Sequence, residues 1–371
     1  MKMKKARTAL IAILAVLILY IGYLFLHYPG IPICTWVPDE AFSVTDDQST
    51  RVDASALHYL DIAPYKNPET IQLYDGWLYA AVDGGTIIRL HEDGTGLEKV
   101  LSTGGAILGF DFDKQGNLYF CDAGNSAVCR FDGQTIQELP IEGLTYPDAL
   151  CIDNENQVLY FSDASCIRPA TYGRSPLAAY MVDMMAHTNT GRVVAFDICT
   201  GQQHIVAEGF SFANGLQLTE NGDALLLNEA SGNRIWRIEI SSGEKTLLLT
   251  VPGYPDNLHA AETGYWSGLS GYYASSYASL ADKPLLRRAI VNLPHFAFTG
   301  LTHSSGGGEA AMVHYCSDGT VCQYLVVKNA GFTVTGAVET ADRIYMESIS
   351  NTDKIWYLES RNDTATGGIQ K

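Results

Sequence analysis

Positive charge is what this 371-residue chain has least of. Lys and Arg number 24 against 41 Asp and Glu, a net charge of −17 at pH 7. Four of the cations, Lys2, Lys4, Lys5 and Arg7, stand ahead of the first apolar run, and without them 20 face the same 41 acids. A surface of that sign repels phosphate backbones and anionic headgroups, so no nucleic acid is expected as a partner. Cysteines at zinc spacing are missing: there is no Cys-x-x-Cys and no Cys/His cluster. No Gly-x-Ser-x-Gly elbow occurs, which leaves serine-esterase chemistry without support.

Long apolar runs are scarce as well. The notable one is Thr8–Leu26, TALIAILAVLILYIGYLFL, nineteen residues long. That length suits a membrane-spanning helix and exceeds a signal-peptide core. HYPGIPICTW follows, with no small-x-small cleavage site. Ile33, ahead of Cys34, is not the small residue a lipoprotein signal requires. A spanning helix therefore outweighs a cleaved signal peptide. Cations before the span hold the N-terminus in the cytoplasm, so the remainder lies outside. The expected order is a cytoplasmic tail over 1–7, a transmembrane helix over 8–26, a proline-rich stalk over 27–55 and a single domain over 56–371.

What is present is a repeat. FANGLQLTENGDALLLNEASGNRIWRIEI (212–240) reads as three short strands joined by polar turns. Weaker copies include DGWLYAAVDGGTIIRL (75–90), KQGNLYFCDAGNSAVCRFD (114–132) and ADRIYMESISNTDKIWYLE (341–359). Tyr79, Tyr119 and Tyr160 recur at 40 and 41 residues, and Leu226 to Trp266 is again 40. Such a meander cannot bury both faces alone, and this period marks a β-propeller with four strands per blade. Tyr160 to Leu226 reads as one blade with an insertion. Trp266 to Tyr345 reads as two blades' worth of chain with an insertion. The count is six blades in an all-β fold, with insertions near 165–190 and 272–310. ALHYLDI (56–62) is a candidate to close the ring on the last blade, which would remove two sheet edges. Three-residue loops would set Cys121 opposite Cys129 and Cys316 opposite Cys322; buried free thiols are the alternative.

In a propeller the innermost strand of each blade lines the central channel. The polar residues opening those strands are Glu69, Asp148, Asn214 and the pair Asp256-Asn257. Carboxylates and amides converging from equivalent blade positions make a hard-oxygen site for Ca²⁺ or a similar divalent cation. Without a cation such acids repel. Asp256 is the candidate base. His259, two residues past Asn257 on the same strand face, is a candidate proton carrier or a structural histidine.

FANGLQLTENGDALLLNEASGNRIWRI followed by VPGYPDNLHAAETGYWSGLS (251–270) resembles the strictosidine synthase-like branch of the gluconolactonase/paraoxonase superfamily. The resemblance runs from about Glu69 to Leu358. It implies a six-bladed propeller with a divalent cation, usually calcium, in its channel. Glu69, Asn214 and Asp256 match the family's ligands, whereas Asp148-Ala149 stands where relatives usually have Asn-Asp. Thr335 takes the place of the family's catalytic glutamate, so strictosidine-type condensation is disfavoured. Leu108 stands where paraoxonases carry a channel histidine. The expectation is a membrane-anchored, Ca²⁺-dependent hydrolase of small-molecule lactones or esters. The alternative is a non-catalytic propeller that binds a ligand or partner around a structural metal.

Overall fold

The computed structural model describes residues 2–39, 41–295, 297–298, 308–350 and 352–359, with backbone alone at 2–6 and 9. Six sheets, antiparallel but for one parallel strand added to the fifth, form a six-bladed propeller. Tyr79, Tyr119, Tyr160, Leu226, Trp266 and Tyr345 fall on the second strands of blades 1 to 6. The interval from Trp266 to Tyr345 is therefore one blade step rather than two. Its extra length is the insertion between the second and third strands of blade 5.

The inner strands are Thr70–Tyr74, Ile107–Phe112, Pro147–Asp153, Ala213–Leu218, Gly253–Ala260 and Ala337–Glu339. Blade 3's inner strand is buried at every position. That is why these strands read as short apolar runs rather than as alternating ones. The ring closes with His58–Asp61, which pairs antiparallel with Lys354–Glu359 and supplies the fourth strand of blade 6.

The proline-rich segment departs from a free stalk. Ser49–Asp53 pairs parallel with the outer strand of blade 5, Val44 is buried in that blade's core, and Ser43 bonds Thr250. The outer strand of blade 5 would otherwise be an open edge, and the segment covers it.

Helix α1 spans Lys2–Leu26. Its apolar side chains stand exposed from Leu10 to Leu26, with Leu19 at 72%. Among the described residues no helix is long and apolar enough to cross a membrane; within α1 the unbroken run of described side chains begins at Leu10. The two insertions carry the remaining helices. Residues between the second and third strands of blade 3 form α2, Pro176–Ala186. Ser175 caps it by accepting from Ala178 N, and Pro176 sits in the first turn, as the sequence implies. The blade 5 insertion forms α3, Ser275–Ala278, and α4, Pro284–Val291, while residues 299–307 lie outside the described set. A second strand runs back toward the face where its inner strand began. Both insertions therefore emerge at the inner-strand heads. They pack together there: Arg287 of α4, fully buried, donates to the Met185 and Ala186 carbonyls that end α2.

The cysteine pairs behave differently. Blade 2's hairpin places Cys121 opposite Val128 and Cys129 opposite Phe120, because four residues rather than three lie between Asp122 and Ala127. The one-residue slip puts the two thiols on opposite faces, and a Cys121–Cys129 bridge is ruled out. Cys316 Sγ lies 3.3 Å from Cys322 Sγ, both as thiols.

Candidate functional site

The heads of four inner strands share a distortion. Pairing with the second strand slips between Ile107 and Phe110, Pro147 and Leu150, Ala213 and Leu216, and Pro255 and Leu258. Such bulges re-aim side chains at the rim of a sheet. Three of them contain candidate residues: Asp148, Asn214 and the Asp256-Asn257 pair. Glu69 precedes the inner strand of blade 1, its N–H bonded to Ala81 O at 2.9 Å.

Backbone groups released by the bulges are taken up by polar side chains that also bridge blades. Ser162 accepts from Ala149 N and donates to Asn214 O at 2.8 Å, joining blades 3 and 4. Asn228 donates to Asp256 O at 2.6 Å, joining blades 4 and 5. Asn257 N donates to Thr335 O, joining blades 5 and 6, and Glu347 accepts from Ile71 N at 2.5 Å, joining blades 6 and 1. Gly215 is needed for the tightness of this ring, since a Cβ there would lie 2.3 Å from Asp256 O. The Asn257 side chain also braces the site, its Nδ2 donating to Glu69 O at 2.6 Å.

The ring brings Glu69, Asp148, Asn214 and Asp256 within electrostatic reach of one another. Burial raises the Glu69 pKa well above the carboxylate range, and Asp256, Asp148 and Glu347 raise it further. Burial and then Asp256 do the same to Asp148. Asp256 is pushed up to about 7 by burial, against hydrogen bonds from Ser270 and Asn214 that lower it, with Glu347 adding to the rise. Among the described residues no three His, Cys, Asp or Glu side chains already stand as a ready-made metal cage. The unmet capacity is nonetheless oxygen: Glu69 Oε2 and Asn214 Oδ1 are buried with no hydrogen-bond partner. Native proteins rarely leave such atoms unpaired. Unpaired buried oxygens among mutually repelling carboxylates fit a hard divalent cation.

One layer deeper, His259 Nε2 lies 2.8 Å from Glu347 Oε1, both side chains buried. Burial pulls the imidazole pKa down, but the Glu347 carboxylate, and beyond it Asp111, raise it to a net increase. Asp111, itself pushed up to about 6 by burial, accepts from Phe112 N and Ile152 N. The adjoining axial cavity, lined by Thr70, Gln72, Gln217 and His259 among others, measures about 20 Å³, room for about one water.

The strictosidine synthase family model matches residues 148–242, and the strictosidine synthase-like N-terminal model matches 55–90. Over these stretches the chain is similar to strictosidine synthase and strictosidine synthase-like proteins. It is 32% identical over 206 residues to the strictosidine synthase-like 2 protein of Arabidopsis thaliana, covering 51% of this chain and 53% of the relative. It is 29% identical over 167 residues to the adipocyte plasma membrane-associated protein of Rattus norvegicus, covering 42% and 43%. The aligned stretches thus span about half the length of these relatives. A solved gluconolactonase from Xanthomonas campestris superposes with a TM-score of 0.57 at 16% identity, over 88% of this chain and 99% of that one. A luciferin-regenerating enzyme superposes at 0.55 and 11%, over 85% and 99%. At these identities the likeness is one of fold.

In this propeller Thr335 is buried, and its hydroxyl donates to Glu69 O at 3.3 Å. Leu108 lends only its carbonyl, to the Thr70 hydroxyl. The sequence reading missed Glu347, Asp111, Ser162 and Asn228. Glu347 follows a second strand, and the others sit next to last in their strands, so no strand-opening position flags them.

Proposed function

We propose that this chain is a membrane-anchored hydrolase of small lactones or esters that depends on Ca²⁺ or a similar divalent cation. The observation that carries the reading is the pair of unpartnered buried oxygens, Glu69 Oε2 and Asn214 Oδ1, among the repelling carboxylates Asp148 and Asp256. Glu69, Asp148, Asn214 and Asp256 would hold the cation, with Asn257 bracing Glu69. The bound ion supplies Lewis acidity toward a lactone or ester carbonyl. Asp256, oriented by Ser270 and Asn214, accepts a proton from the attacking water. His259, held by Glu347, can carry a proton away along the channel.

The anchor is α1. Its apolar side chains from Leu10 to Leu26 face outward, and Lys2, Lys4, Lys5 and Arg7 precede them. That order supports a cytoplasmic N-terminus and an extracytoplasmic propeller. Protease added to intact cells should then degrade a propeller epitope; full protection of the epitope would overturn this topology.

One observation favours the rival, a binding propeller with a structural metal: the axial cavity has room for about one water and none for a substrate. A lactone and aryl-ester panel on detergent-solubilised full-length protein, with and without chelator, separates the two. Asn214→Ala should lose Ca²⁺ affinity and hydrolysis together. Asp256→Asn should keep an oxygen ligand and most of the affinity while turnover falls ~10²-fold or more. If chelation lowers the melting temperature but no compound is turned over, the rival stands. If chelation changes neither, the site is wrong.

A further inference from the structure

The N-terminal segment leaves a cavity behind it on its way to blade 5. Residues 35–39 roof a space of about 520 Å³ in the outer groove between blades 3 and 4, within the range of small-molecule pockets. Among the described residues none that lines it belongs to an inner strand, so it is separate from the channel. Trp36, Val37 and Trp236 give it apolar walls, and two charges reach it without a counter-ion. Glu229 is buried and accepts from Ser211 N at 2.7 Å and Trp236 Nε1 at 2.8 Å, both neutral donors. A Cβ at Gly232 would lie 2.6 Å from Glu229 Oε2, so glycine there keeps the carboxylate open to the cavity. Lys245 holds its ammonium 4.5 Å from the centre of the Phe210 ring and gives one N–H to Glu208 O at 2.8 Å. Among the described residues neither Glu229 nor Lys245 has an ion-pair partner, whereas Asp39 and Arg234, which line the same cavity, satisfy each other at 3.1 Å. His187 adds no charge, because burial, then Arg287 and Arg234, pull its pKa down to about 3. Burial raises the Glu229 pKa against its two N–H bonds and the pull of Arg234 and Lys245. Glu229 and Lys245 thus lie beyond ion-pair distance but within each other's field. A buried carboxylate without a counter-ion is costly, and a cation beside it offsets that cost.

We propose that this cavity binds a zwitterion, an α-amino acid with a bulky apolar side chain. Lys245 pairs with the ligand's carboxylate. Glu229 pairs with the ligand's ammonium, which the face of Trp236 also attracts. The apolar side chain occupies the space between Trp36, Val37 and Trp236. A ligand with one charge leaves either Lys245 or Glu229 unpaired, so it binds more weakly. The site needs no cation in the channel and stands or falls independently of the hydrolytic reading.

Calorimetry on detergent-solubilised full-length protein tests this with three probes: L-leucine, isoamylamine, which lacks the carboxylate, and isocaproate, which lacks the amine. The wild type should bind leucine about tenfold more tightly than either analogue, the worth of one hydrogen bond to a charged group. It should do so equally with Ca²⁺ and with chelator. Lys245→Met keeps an apolar stem over Phe210. It should weaken leucine binding about tenfold and leave isoamylamine binding no weaker, with the melting temperature unchanged. Lys99→Met, on the outer strand of blade 1, should bind leucine as the wild type does. Unchanged leucine binding by Lys245→Met overturns the proposal. So does wild-type protein that binds either analogue as tightly as leucine, a comparison that needs no variant to fold. Wild-type protein that binds no leucine refutes the site. Leucine binding that requires Ca²⁺ would seat the ligand in the channel, overturning this site while supporting the cation reading.

Discussion

Asp183 on α2 shows how much one buried carboxylate can cost. It accepts from the Ser165 and Thr188 hydroxyls through Oδ1, while Oδ2 is buried and unpaired. Burial raises its pKa from 3.8 to about 6 against those two hydrogen bonds, and the Glu229 carboxylate adds to the rise. A carboxyl with a raised folded pKa contributes stability that is complete below its unfolded value and lost as pH climbs through the folded one. Between about pH 4 and pH 7 the wild type should therefore lose up to about 3 kcal/mol at this residue. Asp183→Asn removes the charge and keeps an acceptor for the two hydroxyls. Its melting temperature relative to wild type should rise as pH goes from 4.5 to 8, equally with and without Ca²⁺; a pH-independent difference would show that folding leaves the Asp183 pKa unshifted. The same scale separates legible from hidden residues. Glu69, Asp148, Asn214 and Asp256 could be found because each opens an inner strand, a position the repeat makes recognisable. Glu347 could not, because it follows the second strand of its blade, away from the positions that the repeat marks as channel-lining.

At the scale of hairpins, loop length decides which side chains meet. The sequence suggests equal loops for the two cysteine pairs, yet strand pairing in blade 2 begins at Asp122 and Ala127 and leaves an even loop. In the blade 5 hairpin Tyr315 pairs with Val321 and Cys316 N bonds Thr320 O, which draws the two sulfurs together. Parity of a loop cannot be read from turn residues alone, because Asp, Gly, Asn and Ser serve several turn types. In protein exported to an oxidising compartment, peptide mapping under non-reducing conditions should find Cys316 joined to Cys322, with Cys121 and Cys129 free. Burial raises the Cys121 and Cys129 thiol pKa values, the latter to about 12, so both should also resist alkylation until the chain unfolds. A free Cys322 in the exported protein, or any Cys121–Cys129 peptide, would count against this hairpin geometry.

For the whole molecule, the blade count follows from period and the closing strand was legible at 56–62, but the role of residues 43–53 required the structure. Prolines made 27–55 read as a stalk, whereas Ser49–Asp53 adds a strand to blade 5, ahead of the closing strand His58–Asp61 in blade 6. Leu57, Leu60 and Val44 are buried by this docking, each worth roughly 1.5–3 kcal/mol. Together they rival the net stability of an ordinary domain, about 5–15 kcal/mol. Removing the closing strand also bares Lys354–Glu359, an edge with Ile355 and Tyr357 in its inner face, which invites pairing between molecules. Three fragments separate these effects. A fragment starting at residue 27 keeps both strands and should be monomeric, with one cooperative melt. A fragment starting at residue 56 keeps the closing strand but loses the blade 5 strand and Val44, so it should fold with a lower melting temperature. A fragment starting at residue 62 loses both strands and should aggregate or fail to fold, seen by light scattering and loss of the melt. If that shortest fragment is monomeric and melts with the longest, the ring is held by its inter-blade bonds alone. The closing strand would then be dispensable.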